Sequence, residues 1–204
     1  MDLFIKGLLL GFAIAVPVGP IGVLCIRKSI QFGRLSGFFT GLGAAAADTF
    51  YGALAIFGLS IISGFLVSFQ HIFQLIGGLI LAYMGIKIYR SKQPEGKQKV
   101  THITLLKDFL TTFILTLTNP MTILTFVMIF AGFGITSNNT TQGTLFILGV
   151  FLGSALWWLI LSEGIAFFRK KFTPRSIIWI NRGAGLMLLG FSAWFLINAL
   201  ILVL

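Results

Sequence analysis

The stretch Val16-Pro17-Val18-Gly19-Pro20 lies in the middle of the first apolar segment, and the rest of the chain is interpreted from it. Each proline lacks a backbone N–H donor and disfavours helical angles in the residue before it. In hydrocarbon, no water can bond the carbonyl groups that this frees, so such a break survives only beside protein or a polar cavity. The stretch therefore predicts a point in the first span that faces something other than lipid.

A second interruption, Thr118-Asn119-Pro120, lies in an apolar segment about halfway along the chain. Pro20 and Pro120 can each begin a half-helix, because the missing donor has no intrahelical acceptor at that position. Asn119 is a natural N-cap for the second half-helix. The N-termini would present N–H groups that suit a carboxylate. A packing kink explains either proline alone, but two breaks in corresponding positions favour a transporter's binding site formed by Pro17, Gly19, Pro20, Asn119 and Pro120.

Composition places the chain in the membrane. Of its 204 residues, 57% are apolar and 10% are charged, and the mean hydropathy is +1.00. These values indicate an integral membrane protein rather than a soluble domain. The single cysteine, Cys25, excludes an internal disulfide and a CxxC redox site. The sequence lacks a GxxxxGK[ST] phosphate loop, which argues against an ATP-driven pump, and we expect no cofactor.

Six apolar segments have about the 20 residues that a bilayer requires. They cover residues 3–26, 37–60, 66–88, 109–133, 143–168 and 178–202. Between the third and fourth, the polar stretch 92–107 has the composition of a linker. We therefore predict an all-α integral membrane protein with six transmembrane helices in a single domain, of which helices 1 and 4 are broken at the proline motifs. Residues 1–91 and 108–204 would form two halves of three helices each.

The placement of positive charge predicts the orientation. Fourteen of the fifteen basic residues lie in stretches 27–36, 87–108 and 169–182, whereas 61–65 and 134–142 hold none. By the positive-inside rule, the three basic stretches are cytoplasmic loops and both termini are external. Three spans per half then make the two halves an inverted repeat. This distribution also explains the net charge of +10 without nucleic acid, since a basic stripe on a soluble face is missing.

Glycine spacing gives weaker support to the repeat. Small residues at regular spacing let membrane helices approach closely, and ordinary helix packing is the alternative reason for them. The matched pairs in the two halves are Gly37 and Gly41 with Gly149 and Gly153, and Gly78 and Gly85 with Gly183 and Gly190.

Asp48 is the strongest candidate for a functional carboxylate. It follows Gly43-Ala44-Ala45-Ala46-Ala47 in the second span, and a carboxylate there faces the bundle interior because lipid exposure is costly. It could pair with an ammonium group or carry a coupling proton, while a structural hydrogen bond is the alternative. Glu163, late in the fifth span and near the basic run 169–171, is a secondary candidate or one half of an interfacial ion pair.

The pattern resembles the lysine exporter and homoserine/threonine exporter (LysE/RhtB) family over nearly the whole chain. The first two spans carry the resemblance through Pro17-Val18-Gly19-Pro20 with Gly33, Gly37, Gly41 and Asp48. Asn119-Pro120 and Asn181-Arg182 with Gly183 and Gly190 also fit it. The resemblance implies a bacterial inner-membrane exporter of amino acids or their derivatives, driven by a proton or ion gradient. Such proteins commonly carry lysine after the Asn-Pro pair, where this chain has Met121.

Other functions are less well supported by the residues. Export of a cation or a divalent metal is the nearest alternative, but His71 and His102 are far apart, and we predict no metal site. A membrane enzyme acting on lipid would need a partner for one of these histidines, and we recognise no such motif. A structural subunit would leave both proline breaks unexplained. The expected partners are a small substrate and the bilayer, with a homo-oligomer left open.

The predicted orientation can be tested by cysteine labelling. With Cys25 replaced by alanine, a Ser137→Cys variant should react with an impermeant maleimide added outside intact cells, because 134–142 is predicted to be external. A Gln98→Cys variant in the linker should react only after the membrane is opened. Labelling of position 137 from the cytoplasmic side alone would contradict the orientation.

Overall fold

The structure is a computed structural model that describes residues 3–17, 19–56, 70–91, 100–119, 122, 125–126, 140–168 and 173–201. All regular structure in these ranges is helical, and they contain no strand, in agreement with the predicted all-α class. The helices are α1 (Leu3–Ala15), α2 (Pro20–Phe32), α3 (Arg34–Ile56), α4 (Gln70–Tyr89), α5 (His102–Leu117), α6 (Thr140–Phe168) and α7 (Pro174–Ile201).

Three helices in the described part of the chain are long and apolar enough to cross a membrane singly. They comprise residues His71–Tyr89, Thr140–Phe168 and Arg175–Ile201. The pair α1 and α2 meets the same criterion as one span bent by 80° at the first proline break. Residues 57–60, 66–69 and 127–133 of the predicted spans lie outside the described residues. The count of six spans therefore stays a prediction.

The predicted loop 27–36 is wrong in extent, because the first segment remains helical to Phe32 and α3 begins at Arg34. Gly33 alone separates the two helices, with a φ of 96° that residues with a side chain rarely adopt. Its N–H donates to the Ser29 carbonyl (3.1 Å), and Gly37 N–H donates to the Gly33 carbonyl (3.3 Å). One glycine can thus reverse the chain, which leaves the basic residues before it on a helix rather than in a loop.

The half-helix α2 lies at the centre of the bundle. Nine of its 13 residues are buried, and it packs against α3, α6 and α7. Its apolar run Ile21-Gly22-Val23-Leu24-Cys25 suits this position, since a helix that is apolar all round is stable only when it is covered on every side. The Cys25 thiol approaches the Gly37 carbonyl at 3.4 Å, which holds α2 close to the start of α3.

Glycines bring α1 and α6 into direct backbone contact. A Cβ atom on Gly7 or Gly11 would collide with the backbone of Phe146 or Val150. In the opposite direction, a Cβ on Gly149 or Gly153 would collide with the backbone of α1 at Phe4 or Leu8. Residue numbers rise together along this interface, so the two helices run parallel. Gly149 and Gly153 therefore serve helix packing, as their spacing predicts.

A second glycine interface joins α4 and α7, which run antiparallel. Gly78 lies against Leu196, and Gly85 lies against Leu189 and Gly185. The predicted pair Gly183 and Gly190 makes no close contact, since a Cβ built on either residue meets no atom of the described ranges within 4 Å. Gly185 makes the close approach instead, because it shares the buried face of α7 with residues such as Leu188 and Ser192.

The α1–α6 interface predicts a sharp difference between two glycines of the same helix. Gly153→Ala should destabilise the protein by about 2–3 kcal/mol, because the added methyl group has to push the α1 backbone away. Gly164→Ala is the matched control, because no atom lies within 4 Å of its Cβ position and alanine favours helix by about 1 kcal/mol. Thermal unfolding of both purified variants in detergent measures the difference. Equal melting temperatures would contradict the tight interface.

Candidate functional site

The first break is held by local hydrogen bonds. Val16 N–H still donates to the Phe12 carbonyl (3.2 Å), and Gly19 N–H turns back to the Pro17 carbonyl (3.0 Å). Helix α2 then begins at Pro20, the predicted start of a half-helix, and Gly19 before it is extended and offers no side-chain cap. Pro20 is buried, Gly19 half-buried and Pro17 exposed. The N-terminus of α2 is thus buried at Pro20, and its N-cap residue Gly19 supplies no side chain to its first N–H groups.

Asp48 is buried in α3 and held by a neutral hydroxyl group. Its Oδ2 accepts a hydrogen bond from Ser154 Oγ of α6 (2.8 Å), and Trp158 Nε1 donates to the same serine oxygen (3.2 Å). Only 4% of the Asp48 surface is exposed. The sequence alone did not single out Ser154 or Trp158 as partners of this carboxylate. They lie on the face of α6 that packs against α3, which only the tertiary structure reveals.

The partner of Asp48 also connects it to the first broken span. Ser154 directly follows Gly153, which packs against the α1 backbone at Leu8 and Phe12. The Phe12 and Trp157 rings make an edge-to-face contact at 5.6 Å between centroids. Since α1 ends at Ala15, one turn beyond Phe12, the Asp48–Ser154 pair lies beside the last turns of α1 before the break.

The second break is satisfied by a side chain from α3. Helix α5 ends at Leu117, and Thr118 N–H still donates to the Ile114 carbonyl (3.0 Å). Asn119 N–H donates to the Thr116 carbonyl (3.1 Å), while the Tyr51 hydroxyl donates to the Leu117 carbonyl (2.5 Å). Tyr51 therefore supplies a donor at the point where the helix ladder stops. Pro120 lies outside the described residues, so a half-helix capped by Asn119 stays a prediction.

Helices α3 and α5 run parallel in a constant register. Ser36 Oγ donates to Asp108 Oδ2 (2.6 Å), and one turn along Thr112 Oγ1 donates to the Thr40 carbonyl (2.6 Å). Further along, the Tyr51 hydroxyl bonds the Leu117 carbonyl, so α3 and α5 remain in contact where α5 ends. Tyr51 is one turn beyond Asp48 on α3, and it therefore connects the helix that carries Asp48 to the second break.

A polar network that the sequence analysis missed closes the end of the bundle where α2 meets α3. Lys28 Nζ lies 2.5 Å from Asp108 Oδ1, and Arg27 Nε donates to Asn181 Oδ1 (2.9 Å). Gln31 donates to the same Asn181 oxygen. Asp108 is buried, although it directly follows the polar linker 92–107 in the sequence. The network ties α2 to α5 and α7, and the pairing of distant polar residues carries no signal in a single sequence.

Glu163 has a different partner from the one that sequence proximity suggests. Its Oε1 lies 3.4 Å from Arg34 Nη1 at the start of α3, and both side chains are largely exposed. The basic run 169–171 lies outside the described residues. An exposed pair at this distance contributes little to stability. We interpret Glu163 as a surface ion pair between α3 and α6.

In the ranges that the structure covers, no group of three or more histidine, cysteine, aspartate or glutamate side chains could hold a metal ion. Cys25 is buried and free, and it packs in the apolar cluster with Leu24 and Leu115. The alternative of metal export therefore receives no support from the side chains described.

Comparisons with known proteins agree with the resemblance in the sequence. The family described as LysE type translocator matches residues 12–199. The chain is 27% identical over 202 residues to "Putative amino acid efflux protein YcgF" of Bacillus subtilis, covering 96% of this chain and 95% of that protein. It is 28% identical over 147 residues to "Uncharacterized membrane protein YahN" of Escherichia coli, covering 69% of this chain and 65% of that protein. No solved structure matches significantly.

The buried pair of Lys28 and Asp108 predicts a strong dependence on the carboxylate. Asp108→Asn should destabilise the protein by about 3 kcal/mol, because it leaves a mostly buried ammonium group without its counter-charge. Glu163→Gln breaks the exposed pair with Arg34 and should cost under about 1 kcal/mol. Thermal unfolding of both variants in detergent measures the contrast. Two equal and small effects would show that the Asp108 pair is solvated and weak.

Proposed function

The chain belongs to the LysE type translocator family, so it is a membrane transporter rather than an enzyme, and we propose that it exports amino acids or their derivatives from the cell. The relative from Bacillus subtilis, whose printed name is an amino acid efflux protein, supports this class of substrate. We assign the protein to the bacterial inner membrane with both termini external. The proposal then needs a substrate site, and the charges of the described helices point to one.

The observation that carries the proposal is the uneven pairing of carboxylates. Within the described residues, Asp108 pairs with Lys28 and Glu163 pairs with Arg34, but Asp48 has no cationic partner. The hydrogen bond from Ser154 occupies one oxygen of Asp48 and supplies no charge. A buried carboxylate without a counter-charge is expensive in a membrane protein and marks a substrate or ion path. The ammonium group of an amino acid, or a coupling proton, is the partner that transport would supply.

The proposed site joins Asp48 to the two breaks. It consists of Pro17, Gly19, Pro20, Asp48, Asn119 and Pro120. Two contacts support it. Ser154, the partner of Asp48, directly follows Gly153, which packs against α1, and Tyr51 links α3 to the end of α5. A zwitterionic substrate would place its carboxylate at the N–H groups that begin the half-helices and its ammonium group toward Asp48. Glu163 is exposed and paired, so we leave it out of the site.

The directions of the helices support the inverted repeat. An axis in the membrane plane would exchange α3 with α6 and α4 with α7, and each of these pairs packs antiparallel. The same axis would exchange α1 with α5, so the contact between α1 and α6 would correspond to the contact between α5 and α3. Both of these helix pairs run parallel. The four interfaces thus agree with two halves of opposite orientation. In that arrangement the substrate site lies at the repeat interface near mid-membrane.

Proton coupling is the simplest role for Asp48 beside substrate binding. A carboxylate that has only a neutral hydroxyl partner can gain or lose a proton without breaking an ion pair. Binding of a substrate ammonium group would favour the charged form, and release would allow protonation. Exchange of a proton and a cationic group on one carboxylate would couple export to the proton gradient.

Replacement of Asp48 by asparagine tests the proposal, because it removes the charge but keeps an oxygen that can accept from Ser154. Asp48→Asn should insert and fold normally, yet lose export or lose its dependence on a pH gradient. Glu163→Gln is the control, which should export like the wild type. The measurement is release of labelled leucine, threonine and lysine from proteoliposomes with and without a pH gradient. Normal export by Asp48→Asn with unchanged pH dependence would reduce Asp48 to a structural residue.

A further inference from the structure

Within the residues that the structure describes, two enclosed oxygen atoms near the second break have no hydrogen-bond partner. They are Thr116 Oγ1 on α5 and Gln74 Oε1 on α4, in residues that are each only 3% exposed. A buried polar group without a partner costs free energy, and in a membrane no water relieves that cost. Such groups are rare in native proteins and call for a missing partner. Neither Thr116 nor Gln74 is among the six residues of the proposed site.

The neighbours of Thr116 place it close to Asp48. Thr112, one turn earlier on the same face of α5, donates to the Thr40 carbonyl of α3. The register between the two helices then places Thr116 beside Ala44, one turn before Asp48. Among the described residues, Thr112 has an acceptor in this interface and Thr116 has none, although both are buried threonines of one helix face.

Gln74 approaches the same region from α4. A Cβ atom built on Gly77, one turn further along this helix, would lie 3.0 Å from Thr118 Oγ1. Helix α4 therefore touches the residue that follows α5. Phe73, next to Gln74, packs against the cluster that contains Tyr51 and Leu117. These are the two residues whose hydrogen bond satisfies the second break. Gln74 shares the buried face of α4 with Gly77, so it lies near the second break.

Ser29 Oγ is a third enclosed atom without a partner among the described residues, but its surroundings explain it. The serine lies against Gly37 at the tight crossing of α2 and α3, where a Cβ on the glycine would collide with the hydroxyl. This position is closed by backbone and leaves no room for a ligand. The other two atoms differ because both lie next to an interrupted helix.

We propose that Thr116 Oγ1 and Gln74 Oε1 accept hydrogen bonds from the ammonium group of the exported substrate, beside the charge of Asp48. This inference rests on the proposed function and assigns two further binding residues to that site. An ammonium group has three N–H donors, which match one carboxylate oxygen and two neutral oxygens. The two neutral acceptors would make the site selective for a primary ammonium group over a methylated one, which has fewer donors.

The test uses Thr116→Val and Gln74→Leu, which keep approximate shape and remove the unpartnered oxygen. Substrate-free protein should be as stable as the wild type or more stable, because an unsatisfied group has been replaced by an apolar one. The concentration of leucine, threonine or lysine that half-saturates export in proteoliposomes should rise at least tenfold. Thr112→Val is the matched control, since its hydroxyl already has a partner. It should lower the melting temperature and leave half-saturation within twofold.

Several outcomes separate the inference from the function it rests on. Export by the wild type together with unchanged half-saturation in both variants would overturn the inference alone. Absence of export by the wild type would reject the proposed function and the inference with it. A shift in the half-saturating sodium concentration, with substrate affinity unchanged, would assign the oxygens to a coupling cation and also overturn it. If Thr116→Val fails to fold, two milder variants replace it. Thr116→Ser keeps the hydroxyl and should have wild-type substrate affinity, whereas Gln74→Asn moves the amide oxygen and should lower substrate affinity.

Discussion

A backbone carbonyl inside an apolar bundle needs a donor, and the hydroxyl of Tyr51 supplies one to Leu117 where α5 ends. This constraint governs much of the structure. A helix can stop within a membrane only if another element satisfies the groups that it frees. At the first break, a local turn satisfies the Pro17 carbonyl, which accepts a hydrogen bond from Gly19 N–H. At the second break, the donor comes from α3, so the two breaks depend on different parts of the chain.

Helix α3 is the element that serves both broken segments. It packs against α2, the second part of the first broken segment, where Cys25 contacts Gly37. It contacts α6 through Asp48 and Ser154, and it reaches the end of α5 through Tyr51. Its small residues allow this, because a Cβ on Gly43 would collide with the backbone of α5 at Phe109. Close approach of backbones is the means by which membrane helices gain van der Waals contact without a hydrophobic driving force. The same close approach leaves Asp48 buried with little besides a serine to bond it.

Charge is distributed unevenly between the centre of the bundle and the end where α2 meets α3. At that end, Lys28 and Asp108 compensate one another, and Asn181 accepts from Arg27 and Gln31. These contacts join the two halves of the chain, and none of those described reaches Asp48. The central carboxylate is therefore electrically separate from the network. A transporter needs this separation, because a site that is neutralised by its own side chains would not favour a charged substrate.

The sequence by itself determined the class of the protein and the position of both breaks, and it singled out Asp48 as a candidate. These follow from local chemistry, since hydropathy, proline and an isolated carboxylate are visible without partners. Only the tertiary structure decided which residues satisfy them. Ser154 and Tyr51 are recognised as partners because helices distant in sequence pack at a particular register, and Lys28 meets Asp108 for the same reason. The sequence between such residues does not reveal that register, because the register arises from close packing of small residues on different helices.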